Sequence, residues 1–212
     1  GRAIRYGTAG VGGSHRATPG RGGRYGRAMR LDKPRVPPLP ESQWDPAIAD
    51  RLKGRGAPPN VMRTIAHHPQ LYKRWSVFGN HIFEKSTLPP RERELIMLRI
   101  GWRCRSAYEF GQHTLIGKRC GLTDEEIRRL TKPSDAPGWS DWDRTLVTAT
   151  DELHDDSFIS EATWQELTAR YSTQQIIDLV FTVGQYTLVS MALNTFGVQL
   201  DEGVPGFPDD AG

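Results

Sequence analysis

The feature that most constrains this fold is an apolar run near the C-terminus, from Gln174 to Phe196. As a helix it spans roughly six turns and is apolar on almost every side. Such a helix must be buried, either in the core of its own chain or under a partner subunit. Gly197 follows it as a cap. The run therefore predicts a helical bundle whose protomers associate into a homo-oligomer.

Helix start signals recur before this run. Thr123 to Glu126 and Ser172 to Gln175 both have the capping-box pattern, in which two side chains satisfy free backbone N–H groups. Ser160 can cap a further helix, and residues 142–153 are amphipathic. No alternating pattern of any length, as a strand would show, is present. The sequence predicts an all-α, single-domain bundle of about seven helices.

Composition divides the chain into four parts. Residues 1–28 are Gly-rich and hold six arginines without an acid, which predicts a disordered tail or an added extension. Residues 29–60 are proline-rich and predict an extended arm, 61–203 form the helical domain, and 204–212 are a tail. Beyond residue 28 there are 22 basic and 25 acidic side chains, so no nucleic-acid partner is predicted for the folded domain.

The cysteines and the apolar runs indicate in which cellular compartment the protein is found. Cys104 and Cys120, if they share one helix, lie roughly 24 Å apart and cannot bond to each other. No apolar run reaches the length of a membrane span, and no signal peptide is visible. These patterns predict a soluble cytoplasmic protein without a membrane partner.

Three polar residues share one face of a helix predicted from Cys104 to Cys120. Ser106, Glu109 and His113 are spaced by three and four residues, and the rest of that face is small or apolar. A buried carboxylate beside an imidazole is costly unless the pair is used or fully hydrogen-bonded. Glu109 can hold one ring tautomer of His113. The alternative is an exposed ion pair of little energetic weight.

Glu94 lies 19 residues before His113, in the helix that leads into this one. It could act as a general base or proton relay, or it could only complement the dipole at its helix start. Ser106 likewise could bind a substrate carboxylate, or bond back to the preceding turn.

The segment RERELIMLRIGWRCRSAYEFGQHTLIGKRCGLTDEEI, residues 91–127, resembles the carboxymuconolactone decarboxylase superfamily, which also contains the alkyl hydroperoxidase D proteins. In the hydroperoxidase branch the helix carries C-x-x-C-x-x-x-H, with a glutamate twelve residues before the first cysteine. Here His113 and Glu94 match, while Ser106 and Glu109 stand where the thiols would be. The decarboxylase branch commonly has E-x-x-x-H, as in Glu109 to His113. The resemblance covers about 62–203.

This resemblance implies an alkyl hydroperoxidase D-like fold and an enzyme that needs no cofactor and no metal. Its activity would be lyase-type acid–base chemistry on a small organic acid or lactone. In that role His113 exchanges the proton, Glu109 orients the ring and tunes its pKa, and Glu94 relays. Contacts to the substrate would come from two further residues, Ser106 and Tyr108. A substrate carboxylate would need a cation, for which the nearby candidates are Arg91, Arg93, Arg99 and Arg103.

Two alternatives stay open. A thiol peroxidase like alkyl hydroperoxidase D would need Cys104 or Cys120 to act from an unexpected place, because its chemistry requires a thiolate and a resolving thiol. A non-catalytic member would only bind a ligand or a partner through the retained pocket, since the fold alone does not fix function.

Overall fold

The computed structural model describes residues 29–52 and 58–209. These residues form nine α-helices and no strand, which confirms the all-α prediction. Two of the helices have only six residues, which leaves seven longer ones. The helices are α1 (Pro46–Leu52), α2 (Asn60–Ile65), α3 (Pro69–Asn80), α4 (Pro90–Arg103), α5 (Ala107–Arg119), α6 (Asp124–Arg129), α7 (Asp141–Asp155), α8 (Glu161–Thr168) and α9 (Thr173–Phe196). A short 3-10 turn (Glu41–Gln43) precedes α1, and a π-helical turn (His81–Lys85) follows α3.

The central element is α4, which packs against α5, α7 and α9. Its residues from Glu92 to Gly101 are all buried, and Leu95 to Leu98 are fully enclosed. Burial on every side stabilises the helix through the apolar surface removed from water. Because α4 is enclosed, any charged side chain on it must be paired inside the protein.

The predicted capping boxes are formed. Thr123 Oγ1 accepts from the backbone N–H of Glu126, and the Glu126 carboxylate accepts from the backbone N–H of Thr123 at 2.8 Å. Ser172 and Gln175 make the same reciprocal pair at the start of α9. Ser160 accepts from the backbone of Thr163 at the start of α8. These three helix starts could be predicted because capping is local chemistry.

The predicted continuous helix from Cys104 is wrong at its start. The chain leaves α4 after Arg103, Arg105 has φ 52°, and α5 begins at Ala107 with Ser106 as its N-cap residue. The amide of Asn194 in α9 donates to the Cys104 carbonyl at 2.9 Å. This contact from a distant helix satisfies a carbonyl that the break releases.

The arm predicted as extended over 29–60 is only partly so. It contains the 3-10 turn and α1, and α2 begins at its last residue. Its extended part lies on the end of α9, where the backbone N–H of Arg35 donates to the Phe196 carbonyl at 2.8 Å. The predicted tail 1–28 lies outside the described residues.

The C-terminal tail folds back over α5. Asp201 accepts hydrogen bonds from the Tyr108 hydroxyl at 2.6 Å, the Gln112 amide at 2.5 Å and the backbone N–H of Asn60 at 2.9 Å. A Cβ at Gly111 would lie 1.9 Å from the Pro205 carbonyl oxygen. Only a glycine therefore lets the tail lie this close to the helix. We call residues 201–207 the latch.

By length and composition α9 could cross a membrane, and it is the one such helix in the described parts of the chain. The prediction that no apolar run reaches that length was therefore wrong. In the most apolar 18-residue stretch of α9, 56% of the residues are buried inside the protein. Gly197 at φ 68° ends the helix as predicted.

Candidate active site

His113 lies between two buried carboxylates. Its Nδ1 is 2.6 Å from Glu94 Oε2, and its Nε2 is 3.1 Å from Glu109 Oε1. Glu94 comes from α4, whereas Glu109 and His113 are one turn apart on α5. The exposed fractions are 0% for Glu94 and 5% for each of the other two. The structure thus brings together the three residues predicted to be catalytic, and we call them the triad.

Arg93 holds one carboxylate of the triad in place. Its guanidinium lies 3.0 and 3.3 Å from Glu94 Oε1, so that Glu94 is bound on one oxygen by arginine and on the other by histidine. Within the part of the chain that the structure describes, the only recorded polar partner of Glu109 is His113. Glu109 is therefore the less constrained of the two carboxylates.

Two aromatic rings pack edge-on against the imidazole. The Tyr186 ring on α9 lies 4.9 Å from the His113 ring, and Phe83 on the π-helical turn lies 6.1 Å away. Arg93 in turn stacks on Phe83 at 5.3 Å. These rings exclude water, which strengthens the electrostatic interactions of the triad.

Two glycines let α4 and α5 approach closely. A Cβ at Gly101 of α4 would lie 3.6 Å from Glu109 Cβ, and one at Gly117 of α5 would lie 3.7 Å from Glu94 Cβ. Gly117 is the tighter position, because its Cβ would also be 3.0 Å from Leu122. The short separation of the helices allows a glutamate of α4 to reach the imidazole of α5.

The two carboxylates decide the charge of His113. Burial lowers the pKa of the imidazole, but the hydrogen bonds to Glu109 and Glu94 outweigh burial and raise that pKa to about 9. For Glu94, burial raises the pKa, and the hydrogen bonds and charges of His113 and Arg93 outweigh it, so the pKa falls below its ordinary value. At neutral pH the ring is an imidazolium that donates from both nitrogens.

We expect this imidazolium to make stability depend on pH. Its contribution is fully present below pH 6.5, the ordinary histidine pKa, and is lost as pH rises through about 9. Between these values folded His113 keeps a proton that the unfolded chain has lost, so the free energy of unfolding falls by up to about 1.4 kcal/mol per pH unit. Urea unfolding of the parent and of His113→Gln from pH 6 to 9.5 measures the difference between their free energies of unfolding, which should shrink as the pH rises. Parallel profiles for the two proteins would contradict it.

The two predicted substrate contacts have different surroundings. Ser106 Oγ is fully buried, lies at the start of the triad helix and has no hydrogen-bond partner among the described residues. A buried hydroxyl without a partner is uncommon in proteins, so the contact of Ser106 with substrate stays a prediction. The Tyr108 hydroxyl instead donates to Asp201 in the latch, and burial and that carboxylate raise its pKa. The structure therefore places the Tyr108 hydroxyl in the latch, and its contact with substrate stays a prediction.

All four candidate arginines are engaged in ion pairs. Arg91 pairs with Asp143 and Glu126, Arg99 with Asp151, and Arg103 with Asp155. Arg93 is the one that contacts the triad, and Glu94 occupies it. At the site, the carboxylates of Glu94 and Glu109 balance the positive charges of Arg93 and His113. None of the four arginines is therefore free to bind a substrate carboxylate.

The triad is covered by protein. A cleft of about 620 Å³ lies on a neighbouring face of α5 and is lined by Phe110, Thr114 and Lys118 together with tail residues. None of the triad side chains lines it. The two carboxylates also bind opposite ring nitrogens, so they enclose the ring and do not converge on one point where a metal ion could sit. Access to His113 requires a side chain to move.

Among the described residues, neither thiol forms a hydrogen bond with the triad. Cys104 Sγ is 3.9 Å from His154 Nδ1, and Cys120 is at the end of α5. Burial raises the pKa of both thiols. A reactive cysteine needs the opposite shift, because the thiolate is the nucleophile.

Sequence reasoning missed the roles of Phe83 and Tyr186. Tyr186 is a polar residue within an apolar helix, which indicates that its hydroxyl or ring has a specific partner. Nothing in the sequence indicates that those surroundings are the His113 ring. Phe83 belongs to a π-helical turn, an irregularity that occurs frequently at functional sites and has no clear sequence signature here.

Comparison with known proteins finds a matching family model. Residues 69–152 match the model of the Carboxymuconolactone decarboxylase family. This segment contains the whole triad. No curated protein matches the chain.

Solved structures share the fold. An uncharacterized peroxidase-related protein from Silicibacter sp. TM1040 has a TM-score of 0.67 at 17% identity, over 83% of this chain and 93% of that one. The alkylhydroperoxidase AhpD core protein from Ralstonia eutropha JMP134, also peroxidase-related and uncharacterized, has a TM-score of 0.69 at 17% identity. The match covers 79% of this chain and 93% of that one. The debrominase Bmp8 in complex with 2,3,4-tribromopyrrole has a TM-score of 0.65 at 15% identity, and the match covers 79% of this chain and 91% of that one. At these identities the likeness establishes the fold.

Proposed function

We propose that this chain, which belongs through residues 69–152 to the carboxymuconolactone decarboxylase family and has the alkyl hydroperoxidase D-like fold, is an acid–base catalyst. It would perform lyase-type chemistry on a small organic acid or lactone without a cofactor. The observation that carries the proposal is the imidazolium of His113 held between the carboxylates of Glu94 and Glu109. Two buried carboxylates on one histidine set its charge and its pKa, which is what proton transfer needs.

Glu109 is the group that would yield to a substrate. Glu94 is held by Arg93 as well as by the ring, whereas among the described residues Glu109 is held by the ring alone. When Glu109 leaves Nε2, the N–H of His113 can donate to a carbonyl or to the enolate oxygen that forms from it. The released carboxylate can then take a proton from the adjacent carbon, while Glu94 keeps the ring oriented.

The charges at the site favour an uncharged substrate. The two carboxylates already balance His113 and Arg93, and the other three arginines near α4 are paired elsewhere. An anionic substrate would add an uncompensated buried charge. A lactone carbonyl needs only hydrogen-bond donors, which His113 and the unpartnered Ser106 hydroxyl supply. We place this activity in the cytoplasm, which the unpaired thiols of Cys104 and Cys120 support.

Proton exchange tests the proposal before the natural substrate is known. A panel of small lactones and keto acids is incubated in D2O with the parent and with Glu109→Gln, and deuterium incorporation is followed by NMR. We expect the parent to label a lactone and Glu109→Gln to label it at least about tenfold more slowly, because the amide is a far weaker base. Glu125→Gln is the matched control, since Glu125 is an exposed glutamate paired with Arg129. Equal rates for the parent and Glu109→Gln would reject Glu109 as the base.

A non-catalytic role is the second candidate, and one observation favours it. Both ring nitrogens of His113 are occupied and its exposed fraction is 5%, as in a structural ion-pair network. This candidate predicts no labelling of any panel member by the parent. The thiol peroxidase is less well supported, because the pKa of each thiol is raised, whereas a reactive cysteine needs a lowered one.

A further inference from the structure

The water-facing side of α9 carries a row of large apolar side chains. Ile177, Phe181, Leu188 and Met191 are 51, 54, 52 and 58% exposed. With Gly184 they are separated by four, three, four and three residues along the helix. This spacing brings one side chain per turn onto a single line, and it is the repeat with which one helix packs along another. We call these five residues the seam.

No charge interrupts the seam. The one charged residue of α9 is Asp178, which is buried and accepts from the backbone N–H and the hydroxyl of Thr87 at 2.6 and 2.7 Å. A helix face that meets water normally carries charged or polar side chains. The exposed face of α9 has the apolar composition of a helix face that is buried against another protein surface.

Two side chains of α3 widen this face. Val77 is 63% and Phe78 38% exposed, and the Phe78 ring packs edge-on against Phe181 at 6.1 Å. The exposed apolar side chains of α3 and α9 together offer roughly 600 Å². A specific interface takes about 800 Å² from each partner, so the face supplies most of what a stable pair of subunits needs.

We propose that the seam is the interface between two copies of this chain, related by a two-fold axis near Gly184. Large residues lie on both sides of this glycine, and Ile177 and Met191 are each seven residues from it. A Cβ at Gly184 would meet nothing within 4 Å, so the backbone is open to close approach from outside. A surface that repeats itself on either side of its centre fits a second copy of itself.

A lipid surface fits this face less well. Helices that lie on membranes carry lysine and arginine beside their apolar face, and α9 has neither residue. Lipid also imposes no alternation of four and three residues, whereas a second helix does.

The mass of the full chain in solution tests the proposal. By light scattering at micromolar concentration we expect the parent at twice the chain mass of 23.8 kDa, or a higher even multiple. Phe181→Glu should halve that mass, because the charge would be buried between subunits. Phe158→Glu is the matched control, since Phe158 is 64% exposed and outside the seam, and it should keep the parent mass. A parent of one chain mass, an unchanged mass in Phe181→Glu, or an equal loss in both variants would overturn the proposal.

A cross-link provides an independent readout. A residue beside a two-fold axis meets its own copy, so Gly184→Cys should give a covalent dimer on mild oxidation, above the parent baseline set by Cys104 and Cys120. Gln165→Cys, on the exposed side of α8, should stay at that baseline. No added cross-link at position 184 would place the axis elsewhere and reject the interface. A parent of one chain mass that sediments with phosphatidylcholine vesicles would assign the seam to lipid instead.

Discussion

Replacing His113 by glutamine should lower kcat/KM by about 10²- to 10⁴-fold on any substrate that the exchange panel identifies. Glutamine has a similar length and can still donate to one of the two carboxylates, but it carries no positive charge. The loss should appear in kcat, because the charged N–H of His113 would stabilise the enolate oxygen that forms in the transition state. The parent itself should lose activity as pH rises through about 9, where the imidazolium gives up its proton.

The control for this prediction is another histidine. His154→Gln removes a half-buried imidazole that contacts Cys104 and not the triad, so its activity should stay within about twofold of the parent. His113→Gln leaves one buried carboxylate without a hydrogen bond, which could destabilise the fold. The double variant Glu109→Gln, His113→Gln removes one of the two carboxylates and so carries less buried charge. If both His113 variants fold and turn over substrate at the parent rate, the histidine is structural.

Replacing Arg99 by methionine should lower the free energy of unfolding by about 3–5 kcal/mol. Arg99 is 2% exposed, binds both oxygens of Asp151 at 2.7 and 2.5 Å, and donates to the carbonyls of Leu130 and Lys132 at 2.7 and 2.6 Å. It therefore joins α4 to α7 and to the end of α6. Methionine fills much of the same space but leaves nearly buried Asp151 with only its 3.6 Å contact to Arg103, and the two carbonyls lose this donor.

Arg103→Met is the matched control for this second prediction. Arg103 is on the same helix and pairs with Asp155, whose side chain is 57% exposed. Its contact with Asp151 is longer, at 3.6 Å, and Arg99 still holds that carboxylate, so loss of Arg103 should cost about 1 kcal/mol or less. Urea unfolding of both variants gives the comparison. Adding Asp151→Leu to Arg99→Met should restore part of the stability, because it removes the orphaned charge. A loss for Arg99→Met no larger than that for Arg103→Met would show that the buried network contributes little.

The sequence allowed prediction of features whose causes are local. The capping boxes at Thr123 and Ser172 are examples, since each depends on side chains three residues apart. The Glu109–His113 pair follows from helix periodicity in the same way. The contact of Glu94 with His113 depends on the packing of two helices, and it was identified from a family resemblance and not from local physics.

Other features depend on contacts between distant segments and leave no local signal. Gly101 is consistent with a bend or close packing at the end of α4, but between Trp102 and Phe110 there is no glycine or proline to mark where α5 begins. The carbonyl that the break releases is satisfied from α9. The seam was hidden for a different reason. Because α9 is apolar on nearly all sides, its four-three spacing becomes visible only when buried positions are separated from exposed ones.

The latch has a consequence for the order in which the chain folds during synthesis. Phe207 packs against Trp102 and Phe110, and Asp201 satisfies the hydroxyl of Tyr108. These partners leave the ribosome roughly 90–100 residues earlier than the residues that cover them, a delay of seconds at about 5–20 residues per second. The α4–α5 pair that carries the triad thus emerges with its outer aromatic surface bare. Residues 201–207 close that surface, so the growing polypeptide exposes it to aggregation until they have emerged.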